Sequence, residues 1–216
     1  MRKDLDRLLC EKYPSLYRDR QGDPRQTLMC FGFEVNSGWY RILDHMSALI
    51  SAQAEQEGFD PVAQQIKEKY GTLRVSVVGL AGDEYSAGVI RLAGLLSSRI
   101  CEACGSSRAQ LHMDGWWRTL CHSCNDKYKQ GGRLRGRPLA EHELLRPTDA
   151  LKLLHLGIGY DIQFNGMADT LVTAMEDEEG ILLRLDKSSP RVEGMIAMLK
   201  PWSGFEVLNK EGEKNE

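Results

Sequence analysis

The sequence contains no long hydrophobic run and no secretion signal at its start. No apolar stretch among its 216 residues reaches the ~18 residues that a bilayer-spanning helix requires. The opening MRKDLDRLLCEKY mixes acids with bases and lacks the apolar segment of a signal peptide. We therefore expect a cytoplasmic protein with no membrane contact.

The sequence contains six cysteines, and they are unevenly placed. Four of them form two Cys-x-x-Cys pairs: Cys101, Cys104, Cys121 and Cys124. In a reducing compartment, cysteines paired in this way indicate metal ligands rather than disulfides. The other two, Cys10 and Cys30, belong to no such pattern, and we expect them to be small buried hydrophobic residues.

Composition predicts a globular chain, with 42% hydrophobic and 27% charged residues. Hydrophobic periodicity and turn signals predict an α+β protein made of four parts. These are an N-terminal α/β unit (1–100), a four-cysteine zinc module (101–130), a basic linker (131–147) and a small acidic α+β domain (148–216). The net charge of −3 is divided unevenly, because the middle of the chain is basic and the last part is strongly acidic.

Individual elements can also be predicted from the apolar pattern. Helices are expected near residues 5–13, 39–57, 61–69, 83–100, 149–155 and 190–199. Strands are expected within 27–35 and at TLRVSVVGL (72–80), 159–164, 170–175 and 181–186, with a last edge strand at GFEVL (204–208).

The cysteine spacing C-x2-C-x16-C-x2-C is typical of a zinc site. Each pair supplies two sulfurs from one tight turn, and the residues between the pairs can form a hairpin that brings the turns together. A helix beginning at the second pair would give a zinc ribbon or treble clef. Four sulfur ligands saturate tetrahedral zinc, so the sequence predicts one structural zinc and no catalytic metal.

A second interpretation concerns His112, which lies between the two cysteine pairs. Nucleases of the HNH type can carry a similar four-cysteine frame around their catalytic histidine. Their motif, however, requires an Asp or His beside that histidine and a long insertion after it. Here Leu111 precedes His112, and only eight residues separate it from Cys121. Asp114, His122 and Asn125 could gather near it, so a diverged HNH-like nuclease remains the alternative.

Three segments together carry a resemblance to a known family: CFGFEVNSGWYRILD, QIKEKYGTLRVSV and ICEACG followed by GWWRTLCHSC. The Gly-Trp pair, the KEKYGxLR segment and the downstream cysteine pairs resemble a family of uncharacterised bacterial and phage-associated proteins. The resemblance spans about residues 8–126. It implies a bacterial cytosolic setting and a single unit over 1–126, and it supplies no catalytic residues.

Two features of the middle segment suggest a binding role. A basic strip and a pair of aromatic residues could contact nucleic acid: Lys127, Lys129, Arg133, Arg135, Arg137, Trp116 and Trp117. The strip could equally be a solvated linker, one tryptophan could be a core residue, and the acidic last domain could meet a protein partner. The sequence thus favours a non-enzymatic, zinc-containing binding or regulatory protein. Its partner is a protein or nucleic acid, phage–host conflict is one setting that the resemblance suggests, and the oligomeric state is left open.

Overall fold

A computed structural model of the chain describes residues 1–134, 137–165, 172–177, 180–185 and 189–208, with side chains in 1–134, 137–159 and 189–205. The described residues form a mixed α+β structure with small sheets. The helices are α1 (Lys3–Lys12), α2 (Tyr40–Glu57), α3 (Glu84–Leu96), α4 (His122–Lys129), α5 (Pro147–Asn165) and α6 (Pro190–Ser203). The strands are β1 (Phe33–Glu34), β2 (Val62–Lys69), β3 (Thr72–Val78), β4 (Ala109–His112), β5 (Arg118–Cys121), β6 (Val172–Asp177), β7 (Gly180–Leu185) and β8 (Glu206–Leu208).

The strands form three separate sheets within the described residues. The first contains β1, β2 and β3, in which β1 runs parallel to β2 and β2 runs antiparallel to β3. The second is the two-stranded antiparallel hairpin β4–β5. The third contains β6, β7 and β8, with an antiparallel β6–β7 pair and a parallel β7–β8 pair.

Helix α2 is the central element of the N-terminal core, as its periodicity predicts. Its fully buried residues include Ile42, Leu43, Met46 and Ile50, which recur on one face of the helix. The helix ends at Gly58, whose left-handed backbone lets its N–H reach the Ala54 carbonyl oxygen. The predicted helices around α1, α2 and α3 and the strand at β3 are all confirmed, whereas the strand expected within 27–35 is reduced to the two residues of β1.

The helix predicted over residues 61–69 is wrong, because this segment is strand β2. Asp60-Pro61 imitates the start of a helix, yet the chain runs antiparallel to β3 and buries Val62, Ala63 and Ile66 against the core. The two strands are joined at Tyr70 and Gly71, which both have positive φ angles of 55° and 72°. A two-residue turn of that shape matches the twist of a β-hairpin.

The C-terminal part follows the prediction with one correction. Helix α5 continues to Asn165, so the strand predicted at 159–164 is wrong. The strands predicted at 170–175 and 181–186 correspond to β6 and β7, although residues 170, 171 and 186 lie outside the described residues. Helix α6 and strand β8 also occur where they were expected.

Helices α3 and α6 pack directly on each other. A Cβ atom at Gly88 of α3 would overlap the carbonyl oxygen of Arg191, and one at Gly194 of α6 would overlap that of Tyr85. The close approach places Met195, Met198 and residues of α5 in the same buried cluster as the α2 core. Within the described part of the chain, no helix has the length and apolar character needed to cross a membrane.

Candidate metal centre

The four paired cysteines are brought together by a short knuckle, a hairpin and a helix. Cys101 and Cys104 lie in the turn after α3, and the chain then forms β4 and β5. Cys121 is both the last residue of β5 and the N-cap of α4, and Cys124 lies in the first turn of that helix. Because partial positive charge collects at a helix N-terminus, this position favours thiolates.

The geometry of the sulfurs fits a tetrahedral metal. One ligand atom from each cysteine lies within 4.8 Å of all the others, and the Sγ atoms of Cys104 and Cys121 are 3.7 Å apart. A tetrahedron with metal–sulfur bonds of about 2.3 Å has edges of about 3.8 Å. The same distance is much too long for a disulfide, and all four cysteines are free.

All four sulfurs are shielded from water. The cysteines are buried together with Ala103, Ala109 and Leu120, and half-buried Tyr128 and Leu134 pack against them. A metal held there would have four protein ligands and no open position for water or substrate.

The thiols also shift one another's pKa values. Side-chain hydrogen bonds with Cys101 and Cys124 lower the pKa of Cys104 to about 4. Hydrogen bonds with Cys101 and Cys104, followed by burial, raise the pKa of Cys124. The thiols therefore share their protons, and a bound cation would replace those protons and balance the charge of the thiolates.

The first cysteine turn is fixed to the N-terminal core by the Ser37-Gly38-Trp39 turn. The buried Trp39 indole donates a 2.8 Å hydrogen bond from Nε1 to the Ile100 carbonyl oxygen. The Gly38 N–H donates one to the Glu102 carbonyl oxygen at 2.8 Å. A Cβ atom at Gly38 would overlap the carbonyl oxygen of Cys101, so only glycine allows this approach.

Glu102, between the first two cysteines, is a residue that the sequence analysis did not single out. Its side chain is only 3% exposed. Burial raises the pKa of Glu102 to about 8, and the neighbouring Glu68 adds to this effect. The carboxyl group therefore stays largely protonated near neutral pH.

The residues considered for a nuclease do not assemble into a second metal centre. His112 Nε2 lies 3.2 Å from the Leu120 carbonyl oxygen, across its own hairpin. Asp114 pairs with Lys129, and His122 pairs with Asp126 on the exposed side of α4. In the described ranges, the four cysteines are the one cluster of three or more His, Cys, Asp or Glu residues whose spacing suits a metal.

The residues of the predicted basic strip differ in their exposure to solvent. Lys127 and Lys129 are exposed on α4, Arg133 is exposed just beyond it, and Arg137 is half-buried. Arg135 lies outside the described residues. The chain then returns to the cysteine cluster, where the Ala140 N–H donates a 2.7 Å hydrogen bond to the Cys104 carbonyl oxygen.

Trp116 and Trp117 are both exposed, at 67% and 41%, in the loop between β4 and β5. Neither is a core residue. The turn of the β2–β3 hairpin lies beside them: the rings of Tyr70 and Trp117 are 5.7 Å apart, and the Trp116 indole donates to Glu68. Sequence reasoning missed Tyr70, because residues 61–69 were assigned to a helix rather than to a hairpin.

A comparison of the chain with family models, curated proteins and solved structures finds no match.

Proposed function

We propose that the protein is a zinc-stabilised binding protein, in which one tetrahedral zinc held by the four cysteines fixes a treble-clef module. The observation that carries the proposal is the arrangement of four buried sulfurs within 4.8 Å of one another. Thiolate ligands and tetrahedral geometry favour zinc over hard cations such as magnesium. A closed coordination shell stabilises the fold, and it leaves no position for a metal-bound water that could take part in catalysis.

The binding role rests on what this module presents to solvent. The four cysteines are buried, whereas the loop of the β4–β5 hairpin exposes two tryptophans and is contacted by Arg118 and Lys129. Large exposed apolar residues beside charged ones are common at recognition surfaces. We also propose that its partner is a protein or a nucleic acid. The setting that we propose is the cytosol of a bacterium, whether the protein is encoded by the bacterium or by a phage.

The metal is tested by measuring zinc in native protein and in a Cys121→Ser variant. We expect about one zinc per chain in the wild type. The variant should lose zinc and melt at a lower temperature, because metal binding and folding of the module are coupled. Cys30→Ser is the matched control: Cys30 donates to the Thr27 carbonyl oxygen outside the cluster, and a serine hydroxyl can do the same.

Thiol labelling of the wild type gives an independent readout. Chelation of the metal should expose four additional cysteines to alkylation, whereas Cys10 should remain slow because burial raises its pKa to about 11. Native protein without zinc, or a Cys121→Ser variant that melts like the Cys30→Ser variant, would contradict the proposal.

A further inference from the structure

The turns of two hairpins form one exposed surface, which we call the hairpin-tip surface. It combines the β2–β3 turn with strand β4 and the loop that follows it. Its exposed apolar and aromatic residues are Tyr70, Leu111, Met113, Trp116 and Trp117. Three of these five are aromatic, and Tyr70, Met113 and Trp116 are each more than 60% exposed.

One buried and one exposed hydrogen bond join the two turns, and a third fixes the Glu68 side chain that takes part. The hydroxyl group of the buried Thr119 donates a 2.6 Å hydrogen bond to the Gly71 carbonyl oxygen. Glu68 accepts from the Gly71 N–H through one carboxylate oxygen, at 2.6 Å, and from the Trp116 indole through the other, at 3.2 Å. These hydrogen bonds hold the aromatic residues in place. Less conformational entropy is therefore lost when the rings bind a partner than if they lay on a free loop.

Three cationic side chains contact residues of the hairpin-tip surface. Lys69 Nζ lies 5.3 Å from the centre of the Tyr70 ring. Arg118 donates to the Trp116 carbonyl oxygen at 3.0 Å and stacks on the Tyr128 ring at 3.9 Å. Lys129, at the end of α4, reaches Asp114 in the hairpin loop.

The charge balance around the surface is positive although the whole chain carries −3. Residues 105–133 together with residues 68–71 of the β2–β3 turn contain six Lys or Arg residues and three acids. Of these acids, Asp114 pairs with Lys129, Asp126 lies beside His122, and Glu68 accepts hydrogen bonds from Gly71 and Trp116. Lys127 and Arg133 are also exposed, on α4 and just beyond it.

We infer that the hairpin-tip surface binds single-stranded nucleic acid, with bases stacking on Trp116, Trp117 and Tyr70 and phosphates contacting the surrounding cations. Aromatic faces beside a basic track are the elements with which proteins hold unpaired strands. Paired bases keep their faces stacked inside the duplex, so the aromatic residues favour a single strand over a double one. The inference rests on the proposed function, because the zinc fixes the hairpin that carries both tryptophans.

The test uses the full, zinc-loaded chain and fluorescently labelled 20-nucleotide strands of DNA and of RNA, with a duplex of the same sequence for comparison. We expect saturable binding of single strands, tighter than that of the duplex, and weakening as salt rises. Trp116→Ala and Tyr70→Ala should each weaken binding roughly 5- to 100-fold, since one stacked base commonly contributes that much. Lys69→Gln should reduce the salt dependence by less than one ion, near the ~0.7 expected for one phosphate contact on a single strand.

Two controls match these variants in exposure. Phe31 is an aromatic residue, 63% exposed, that lies outside the hairpin-tip surface, so Phe31→Ala should bind as the wild type does. Arg25 is an exposed cation of the N-terminal unit, and Arg25→Gln should leave the salt dependence unchanged. All variants should retain one zinc, because the changed side chains are exposed and lie outside the cysteine cluster. Trp116→Ala and Tyr70→Ala each remove one contact between the two turns, so their melting temperatures should fall by no more than a few degrees.

Several results would overturn the inference. These are no binding of either strand at low salt, duplex binding as tight as that of single strands, or equal losses in the surface and control variants. Self-association that Trp116→Ala abolishes would assign the surface to a second copy of the chain instead. In each case a zinc content of one leaves the proposed zinc-stabilised fold standing, whereas protein without zinc contradicts the proposed function itself.

Discussion

The indole nitrogen of Trp39 donates a buried hydrogen bond to the carbonyl oxygen of Ile100, the residue directly before the first cysteine of the metal centre. Trp39 is fully buried in the N-terminal core. The contact therefore joins two parts of the chain that lie sixty-one residues apart. It makes the cysteine turn an extension of the core, so that stability of one part should depend on the other.

Replacing Trp39 tests this connection. Trp39→Phe removes the N–H donor and leaves the Ile100 carbonyl oxygen buried without it, which should cost about 1–3 kcal/mol in unfolding free energy. Trp117→Phe is the matched control, because its side chain is partly exposed and the change should stay within about 0.5 kcal/mol. Denaturant unfolding of both variants measures the difference, and similar values for the two would remove Trp39 from this role.

Gly38 supports the same contact by its lack of a side chain. Because an added methyl group would meet the backbone of the cysteine turn rather than a movable side chain, Gly38→Ala should destabilise the protein by about 1–3 kcal/mol or more. It should also lower zinc affinity by displacing Cys101.

Gly159 provides the opposite case. It is an exposed position inside α5 with no atom within 4 Å of an added Cβ. Gly159→Ala should therefore stabilise the protein by about 0.5–1 kcal/mol, as expected for a helix interior. For Gly38, a Gly38→Ala protein that melts as the wild type does would contradict the close packing of the Gly38 turn against the backbone of Cys101.

The cysteine cluster could be predicted from sequence because its signal is local. Two sulfurs from each short turn, separated by the length of a hairpin, specify the cluster almost without reference to the rest of the fold. The attachment of that cluster to Gly38 and Trp39 could not be predicted in the same way. It depends on contacts between residues more than sixty positions apart, which no spacing rule describes.

The prediction of a helix at residues 61–69 is wrong for a specific physical reason. The two-residue hairpin turn that ends β2 usually contains Asn-Gly or Asp-Gly, because both positions need a positive φ. Here the first position is Tyr70, which adopts this backbone at a cost. The usual turn signal is therefore missing, and the Asp60-Pro61 pair supplies a misleading one. The error also hid the exposed ring of Tyr70 from the sequence-based reading of the site.

The strand expected at 159–164 failed for a different reason. Gly157 and Gly159 lower helix propensity, and the sequence GYDIQF alone is compatible with a strand. In the structure an added Cβ at Gly157 would lie 2.9 Å from the Met195 sulfur, so this glycine lets α6 approach α5 closely. Tertiary packing thus overrides the local preference.

Thr119 should be essential for the relative position of the two hairpin turns. Thr119→Val keeps the shape of the side chain but leaves the Gly71 carbonyl oxygen without its 2.6 Å hydrogen bond. We expect a loss of about 1–3 kcal/mol. Thr119→Ser retains the hydroxyl group and should lose less. A Thr119→Ser variant that loses at least as much as Thr119→Val would mean that the hydrogen bond is not the main contribution of this side chain.

The nuclease alternative is decided by an activity measurement. An HNH-type reaction needs a histidine that is free to act as a base beside a divalent ion, usually magnesium. His112 Nε2 faces the carbonyl oxygen of Leu120, and Asp114 is directed to Lys129. We therefore expect zinc-loaded protein with magnesium or manganese to leave single- and double-stranded DNA and RNA intact. His112→Ala should then change only stability, by removing one hairpin contact.

A nuclease would behave differently in a matched pair of variants. His122 is exposed on α4 and pairs with Asp126 in its own helix, so His122→Ala controls for the loss of a histidine in the same module. Metal-dependent cleavage that His112→Ala abolishes and His122→Ala preserves, at unchanged zinc content, would make the hairpin an active site. Cleavage that persists in both variants would point to a contaminating enzyme and leave the hairpin as a binding element.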